Sequence, residues 1–200
     1  MASTPTLICI PDISGFTEFM SNSEIELSTK VIPTLLNNII YSNEIGLKVS
    51  EIEGDAVLFY KSGTLPGIEI LVNQCRYFYT EFYKQLKKLR KQYAHMEDSV
   101  KIPEILGLKI ILHYGEEVSV IPIGKSIKLI GEDVIIAHRL LKNEIKSDEY
   151  LLLSSSLLDQ YNGKLEGETF SWGKLNYHQE EYDHIGLVKY AHIDLKPLVD

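Results

Sequence analysis

Asp12 and Asp55 are the residues whose type and setting could do chemistry. Asp12 closes an apolar strand-like run, Thr6 to Ile10, which ends at Pro11-Asp12; Asp55 stands at the tip of a tight Gly54-Asp55 turn between two further apolar runs. Carboxylates at strand ends and turn tips are aimed by backbone rather than by long mobile side chains. Two of them converging can hold divalent cations about 3.5–4 Å apart, the spacing that activates an oxygen nucleophile and stabilises a leaving phosphate. After Asp12 comes Ile13-Ser-Gly-Phe-Thr17, whose free amides could cradle phosphates at a helix N-terminus. Spacing alone has a plainer reading: Asp12 caps a turn and Asp55 is an exposed hairpin residue, because Asp is commonplace in turns.

The elements that must position these groups alternate between short strands and amphipathic helices. Val31, Ile32, Leu35, Leu36, Ile39 and Ile40 predict a core-facing helix from about Ser28 to Asn43, with Pro33 in or just past its first turn. Leu47, Val49 and Ile52 mark a strand, and Ala56 to Tyr60 completes a hairpin with it. Ile68, Leu71, Val72, Cys75, Phe78, Phe82, Leu86 and Leu89 carry a helical period to about Tyr93. His95 to Pro103 is polar and reads as a loop. Leu106 to His113 is a strand that Tyr114-Gly115-Glu116 turns into Val118 to Ile123, and Ile127 to Ile130 is extended. Gly131-Glu132-Asp133 starts a helix through Leu141, with acids in its positive first turn. Tyr150 to Leu153 is a strand, Ser154 to Ser156 caps a short helix, and short strands follow Gly163, the last being Gly186 to Ile193. This order, without repeats or a Pro/Gly/Ser-rich linker, predicts one α+β sheet with helices packed on it.

The 200 residues are 44% hydrophobic and 24% charged, enough for a single core without staples and incompatible with disorder. Twenty basic and 28 acidic residues leave a formal charge of −8, which argues against a cationic stripe for nucleic acid. Lys84, Lys87, Lys88, Arg90 and Lys91 complement the end of the long helix as a solvated face. His178, Glu180, Glu181, Asp183 and His184 fit no zinc template and read as a polar hairpin. Cys9 and Cys75 both lie in apolar runs, as buried reduced thiols do. No secretory leader is evident, and no apolar run approaches the roughly 20 residues that span a bilayer. The expectation is a cytoplasmic protein with neither nucleic-acid nor membrane partner.

Four segments, in order over residues 6 to 143, carry a family resemblance. Pro11-Asp-Ile-Ser-Gly-Phe-Thr17 resembles the first metal motif of class III adenylyl/guanylyl cyclase catalytic domains. Glu51-Ile-Glu-Gly-Asp-Ala-Val-Leu-Phe59 is similar to their second metal hairpin. Leu108-Lys-Ile-Ile-Leu-His-Tyr-Gly-Glu116 is similar to their "IGIHTGE" segment, and Gly131-Glu-Asp-Val-Ile-Ile-Ala-His-Arg-Leu140 to "GxxVNxAxRL". The resemblance implies a single domain over 1–200 with a ferredoxin-like mixed sheet, residues 144–200 completing or decorating it. It also implies two Mg²⁺ or Mn²⁺ ions held by Asp12, Asp55 and the Ile13 backbone, with Ser14, Gly15, Phe16 and Thr17 on the β- and γ-phosphates. Arg139 would stabilise the transition state from a partner subunit, in a homodimer with sites at the interface.

The departures from the pattern bear on activity. Ile135 replaces the family's ribose-orienting Asn and cannot hydrogen-bond. His138, beside Arg139, reads as surface or packing. Glu51 and Lys128 occupy the two base-selecting positions; they could read a base edge or form a salt bridge. Ile185 stands at the late triphosphate-lysine position, with Lys189 the nearest cation. Two functions follow from the resemblance. One is a cyclase converting a nucleoside triphosphate to a 3′,5′-cyclic nucleotide and pyrophosphate; the other is a degenerate module that binds nucleotide or a protein partner.

Overall fold

The computed structural model describes residues 3–161 and 170–199. Its centre is β1 (Thr4–Ser14), flanked antiparallel by β3 (Ala56–Ser62) and β4 (Gly107–Ile123). Leu7 and Cys9 point to one side of this strand and Ile8 and Ile10 to the other, all buried, so β1 shows no polar alternation because it has no wet face. With β2 (Lys48–Glu53), β6 (Tyr150–Ser154), β7 (Asn176–Tyr182) and β8 (Gly186–Asp194), the sheet runs β2-β3-β1-β4-β6-β8-β7. Among the described residues, only the β4–β6 pair is parallel. The far half of β4 pairs with β5 (Ser126–Ile130) as a separate ribbon. Three strands beyond residue 143 therefore belong to this one α+β sheet.

One face of the sheet is covered by α1 (Phe16–Asn22), α2 (Ile25–Tyr41), α3 (Ile68–Gln92) and α4 (Lys101–Ile105), whose apolar stripes form the larger core. The other is covered by α5 (Glu132–Leu140) together with the β5 ribbon. A short helix, α6 (Ser155–Asp159), follows β6; Ser154 caps it by accepting the Leu157 N–H. No helix among the described residues is long and apolar enough to cross a membrane. Cys9 and Cys75 are buried free thiols that form no disulfide with each other.

Three expectations are corrected. The Tyr114-Gly115-Glu116 turn is absent: β4 continues through it as one strand, with a register shift in the ladder just beyond, where Thr6 pairs with Gly115 and Thr4 with Val118. Gly115 serves close approach instead: a Cβ there would lie 2.4 Å from the Asp133 Cβ. His95 to Pro103 is not a loop but a 3₁₀ turn, Glu97–Val100, leading into α4, where Pro103 lies near the start and needs no N–H partner. The second helix begins at Ile25, so Pro33 falls in its interior; burial of Leu27, Val31, Ile32, Leu35 and Ile39 outweighs the lost bond. Gly163 lies outside the described residues.

Candidate functional site

Asp12 pairs with Ala56 across the β1–β3 ladder, and Asp55 immediately precedes Ala56, in the turn between β2 and β3. Ile13 donates its N–H to the Asp55 carbonyl at 3.0 Å. In an extended residue N–H and C=O project to the same edge, so the Ile13 carbonyl also faces this turn. On the other side of β1, Asp12 pairs with Lys109, whose Nζ lies 3.5 Å from Asp12 Oδ1.

Electrostatics bind the three side chains into one cluster. Burial pushes the Asp12 carboxyl up to about 6; Lys109 pulls it down and the Asp55 charge pushes it further up. Asp55 is also raised, chiefly by burial, against its own backbone amide and Lys109. The phenol of Tyr150, on β6 beside Lys109, is raised to about 12 by burial, with the Asp12 charge adding to it.

The turn after Asp12 is tightly specified. Gly15 has φ +75° and precedes α1; a Cβ there would sit 2.0 Å from the Ile105 carbonyl oxygen. Ser14 Oγ donates to the Asp148 carbonyl at 2.5 Å, which leaves its hydroxyl engaged. Phe16 packs against the helix-side core, and its amide and that of Thr17 open the first turn of α1.

Glu51 and Lys128 meet in an ion pair, and beside them Ser50 Oγ donates to the Ile127 carbonyl at 3.1 Å. The β5 ribbon is thereby tied back over β2. Arg139 is exposed on the last turn of α5 and makes no ion pair among the described residues. His138, one residue before it, lies 3.6 Å from Glu53, so this end of α5 abuts the turn that carries Asp55. Ile135 is 53% exposed, an apolar side chain held open to solvent on the same helix. Ile185 is half-buried and Lys189 exposed.

Residues 32–150 match the family described as "Protein of unknown function (DUF2652)". The chain belongs to that family. A curated relative, an uncharacterized protein of Mycobacterium tuberculosis, is 28% identical over 120 residues, 60% of this chain; the match spans 55% of the relative's length. The fold is that of adenylyl and guanylyl cyclase catalytic domains. The guanylyl cyclase Cya2 superposes with a TM-score of 0.66 at 17% identity, over 96% of this chain and 93% of that one. The catalytic core of a rhodopsin-guanylyl cyclase in complex with ATPαS gives 0.67 at 15%, covering 96% of each chain. The adenylyl cyclase CyaB from P. aeruginosa gives 0.62 at 17%, covering 96% and 94%.

In this DUF2652 chain two features of the site escaped the sequence reading. Lys109 was legible only as a basic residue within an apolar strand; its place opposite Asp12 is a fact of register. The His113 network was also hidden: His113 Nε2 lies 3.1 Å from Asp133 Oδ1 and its Nδ1 3.3 Å from Ser156 Oγ, fixing α5 to β4 and α6. Ser156 donates to the Tyr114 carbonyl at 2.8 Å, so its hydroxyl is spent on structure.

Asp12 and Asp55 are the residues here that could hold a divalent cation. Two desolvated carboxylates share one ammonium, which leaves the set with surplus negative charge and hard oxygen donors suited to Mg²⁺ or Mn²⁺. No three His, Cys, Asp or Glu side chains gather as a metal-holding group among the described residues, at Asp12 and Asp55 or away from them. Two carboxylates suffice where water, backbone carbonyl and phosphate oxygens complete the shell. Among the clefts away from this cluster are one of about 390 Å³ on the helix side, lined by Glu149 with Tyr79 and Tyr83, and one of about 420 Å³ by Asp133 and Ser156.

Proposed function

We propose that this protein is a metal-dependent nucleotidyl cyclase, forming a 3′,5′-cyclic nucleotide and pyrophosphate from a nucleoside triphosphate in a homodimer. The observation that carries the reading is the convergence of Asp12 and Asp55 beside the Ile13–Thr17 turn, each carboxyl raised by burial. A protein keeps desolvated like charges together at a cost in stability, and a bound dication offsets that cost. The fold shared with adenylyl and guanylyl cyclase domains supports it.

In this reading Asp12, Asp55 and the Ile13 carbonyl hold two Mg²⁺ or Mn²⁺ ions. Metal held there would supply Lewis-acid chemistry, lowering the proton affinity of the ribose 3′-hydroxyl and offsetting charge on the phosphates. The amides of Ser14 to Thr17 hold the β- and γ-phosphates, and the Gly15–Ile105 contact fixes their direction. The 3′-hydroxyl gives its proton to solvent as its oxygen attacks the α-phosphorus, the bond from that phosphorus to the bridging oxygen breaks, and pyrophosphate leaves. Arg139 of the partner subunit meets the charge on the equatorial oxygens through its forked donors. Its exposure suits a site completed across an interface. The exposed Ile123, Ile127, Ile130 and Ile135 supply apolar surface for that interface.

Ile135 and the closed Glu51–Lys128 pair favour a second reading, a cyclase-like module without turnover. The purified chain, incubated with Mn²⁺ or Mg²⁺ and each of ATP, GTP, CTP and UTP, decides between them. A cyclic product by mass, lost in Asp55→Ala with folding intact, supports the enzyme. No cyclic product from any of the four, in a folded dimer, overturns it.

A further inference from the structure

We propose that Lys109 is a built-in counter-ion of the Asp12–Asp55 pair, so that a divalent cation loads this site by exchange with an ammonium rather than by entering an empty cage. The proposal rests on the reading of the two aspartates as metal ligands and assigns a role to a residue outside that set.

Lys109 stands directly opposite Asp12 in the β1–β4 ladder, and only 22% of its side chain is exposed. Its Nζ is 3.5 Å from Asp12 Oδ1, and its charge acts on Asp55 as well as on Asp12. The strand fixes its Cα, so the ammonium can swing on its stem but its charge stays close to both carboxylates. Whatever holds protons off these carboxylates also holds a dication off them: the incoming ion must break the Lys109 contact and then sit beside a positive charge. Two unit charges about 4 Å apart interact measurably even in water, and a dication doubles the effect, so the penalty is on the order of tenfold in affinity or more. The same contact helps keep the two carboxylates together, because each half-buried carboxylate has the Lys109 charge near it.

The test is nucleotide-free Mn²⁺ binding to the full-length chain, read from the free-ion electron paramagnetic resonance signal at about pH 8, where protons compete little with metal for Asp12. Lys109→Met keeps the stem and removes the charge; it should bind Mn²⁺ at least about tenfold more tightly than the wild type. Lys109→Arg keeps the charge and should stay within about twofold. Asp12→Asn should lose the site. Should Lys109→Met fail to fold, Mg²⁺ titration of wild-type protein with isotope-labelled lysine reads the exchange directly: the Lys109 side-chain resonances must move, and must not move in Asp12→Asn. If Lys109→Met binds no more tightly while Asp12→Asn still abolishes binding, the counter-ion role is wrong and the metal site stands. If no Mn²⁺ binding depends on Asp12, both fall together.

Discussion

Asp12 and Asp55 reach one place from two antiparallel strands: Asp12 faces Ala56 in the ladder, and Asp55, one residue earlier, takes the Ile13 N–H at 3.0 Å. This convergence has a stability cost in the metal-free protein. The Asp12 carboxyl is raised from 3.8 to about 6, so the folded state holds its proton more tightly than the unfolded state. Its contribution is therefore unfavourable above about pH 6, and is relieved as pH falls toward 3.8. The shift corresponds to about 3 kcal/mol at most. Asp12→Asn should raise stability to urea at pH 8 by about 1–3 kcal/mol, shrink that gain near pH 4, and abolish stabilisation by Mn²⁺. An Asn variant less stable than wild type at pH 8 would contradict this account.

Gly15 is the second fixed point. A methyl group there would overlap the Ile105 carbonyl oxygen at 2.0 Å, and φ +75° disfavours any side chain. Gly15→Ala should cost at least about 2 kcal/mol in urea unfolding and move the α1 amides. Cyclic-product formation should fall more steeply than stability alone predicts when measured well below the melting temperature.

The central strands, the long third helix and the Gly54-Asp55 hairpin were legible in sequence because periodicity and turn chemistry are local. Pro33 misled because its placement depends on where the second helix starts, and no strong cap marks that start: Glu24 makes no side-chain cap bond. Gly115 misled because a glycine signals either a turn or close approach, and only the contact with Asp133 decides which. Asp12 and Asp55 could be named from sequence, whereas Lys109 could not, because its role exists only through the register that sets it opposite Asp12.

Glu51 and Lys128 test whether the base positions still read a base. Their ion pair is partly exposed, 17% and 39% for the two side chains, so a double-mutant cycle with alanine should give a coupling of only about 0.5 kcal/mol in stability. If the pair opens to grip a nucleobase, either single substitution changes the ranking of ATP, GTP, CTP and UTP as substrates. An unchanged ranking would leave the pair a tie between β2 and the β5 ribbon.

Asp133 gives a pH dependence of the opposite sign. Its carboxyl is held below 3.8, first by the hydrogen bond from His113 and despite partial burial. A depressed carboxyl stabilises the fold above about pH 4, and that stability is lost as pH falls through the lower folded value. Asp133→Asn should cost about 1–2 kcal/mol at pH 7 and progressively less as the pH is taken down below 3.8, compared by urea unfolding across that range. An equal cost throughout would mean that Asp133 acts through packing against Gly115.

The division of labour between subunits yields the most demanding prediction. If one protomer supplies Asp55 and its partner supplies Arg139, then Asp55→Ala and Arg139→Ala are each inactive alone. Mixed after unfolding and refolding together, they form heterodimers in which one site carries both lesions and the other carries none. Random assortment makes half of the dimers mixed, each with one working site of two, so activity should recover to about a quarter of wild type. Replacing Ile127 and Ile130 with Glu in both chains should abolish that recovery and give monomers by analytical ultracentrifugation, since these exposed side chains supply apolar surface beside the Glu51–Lys128 pair. No recovery in a mixture shown to contain heterodimers would place both residues in one subunit's site, and the head-to-tail arrangement would be wrong.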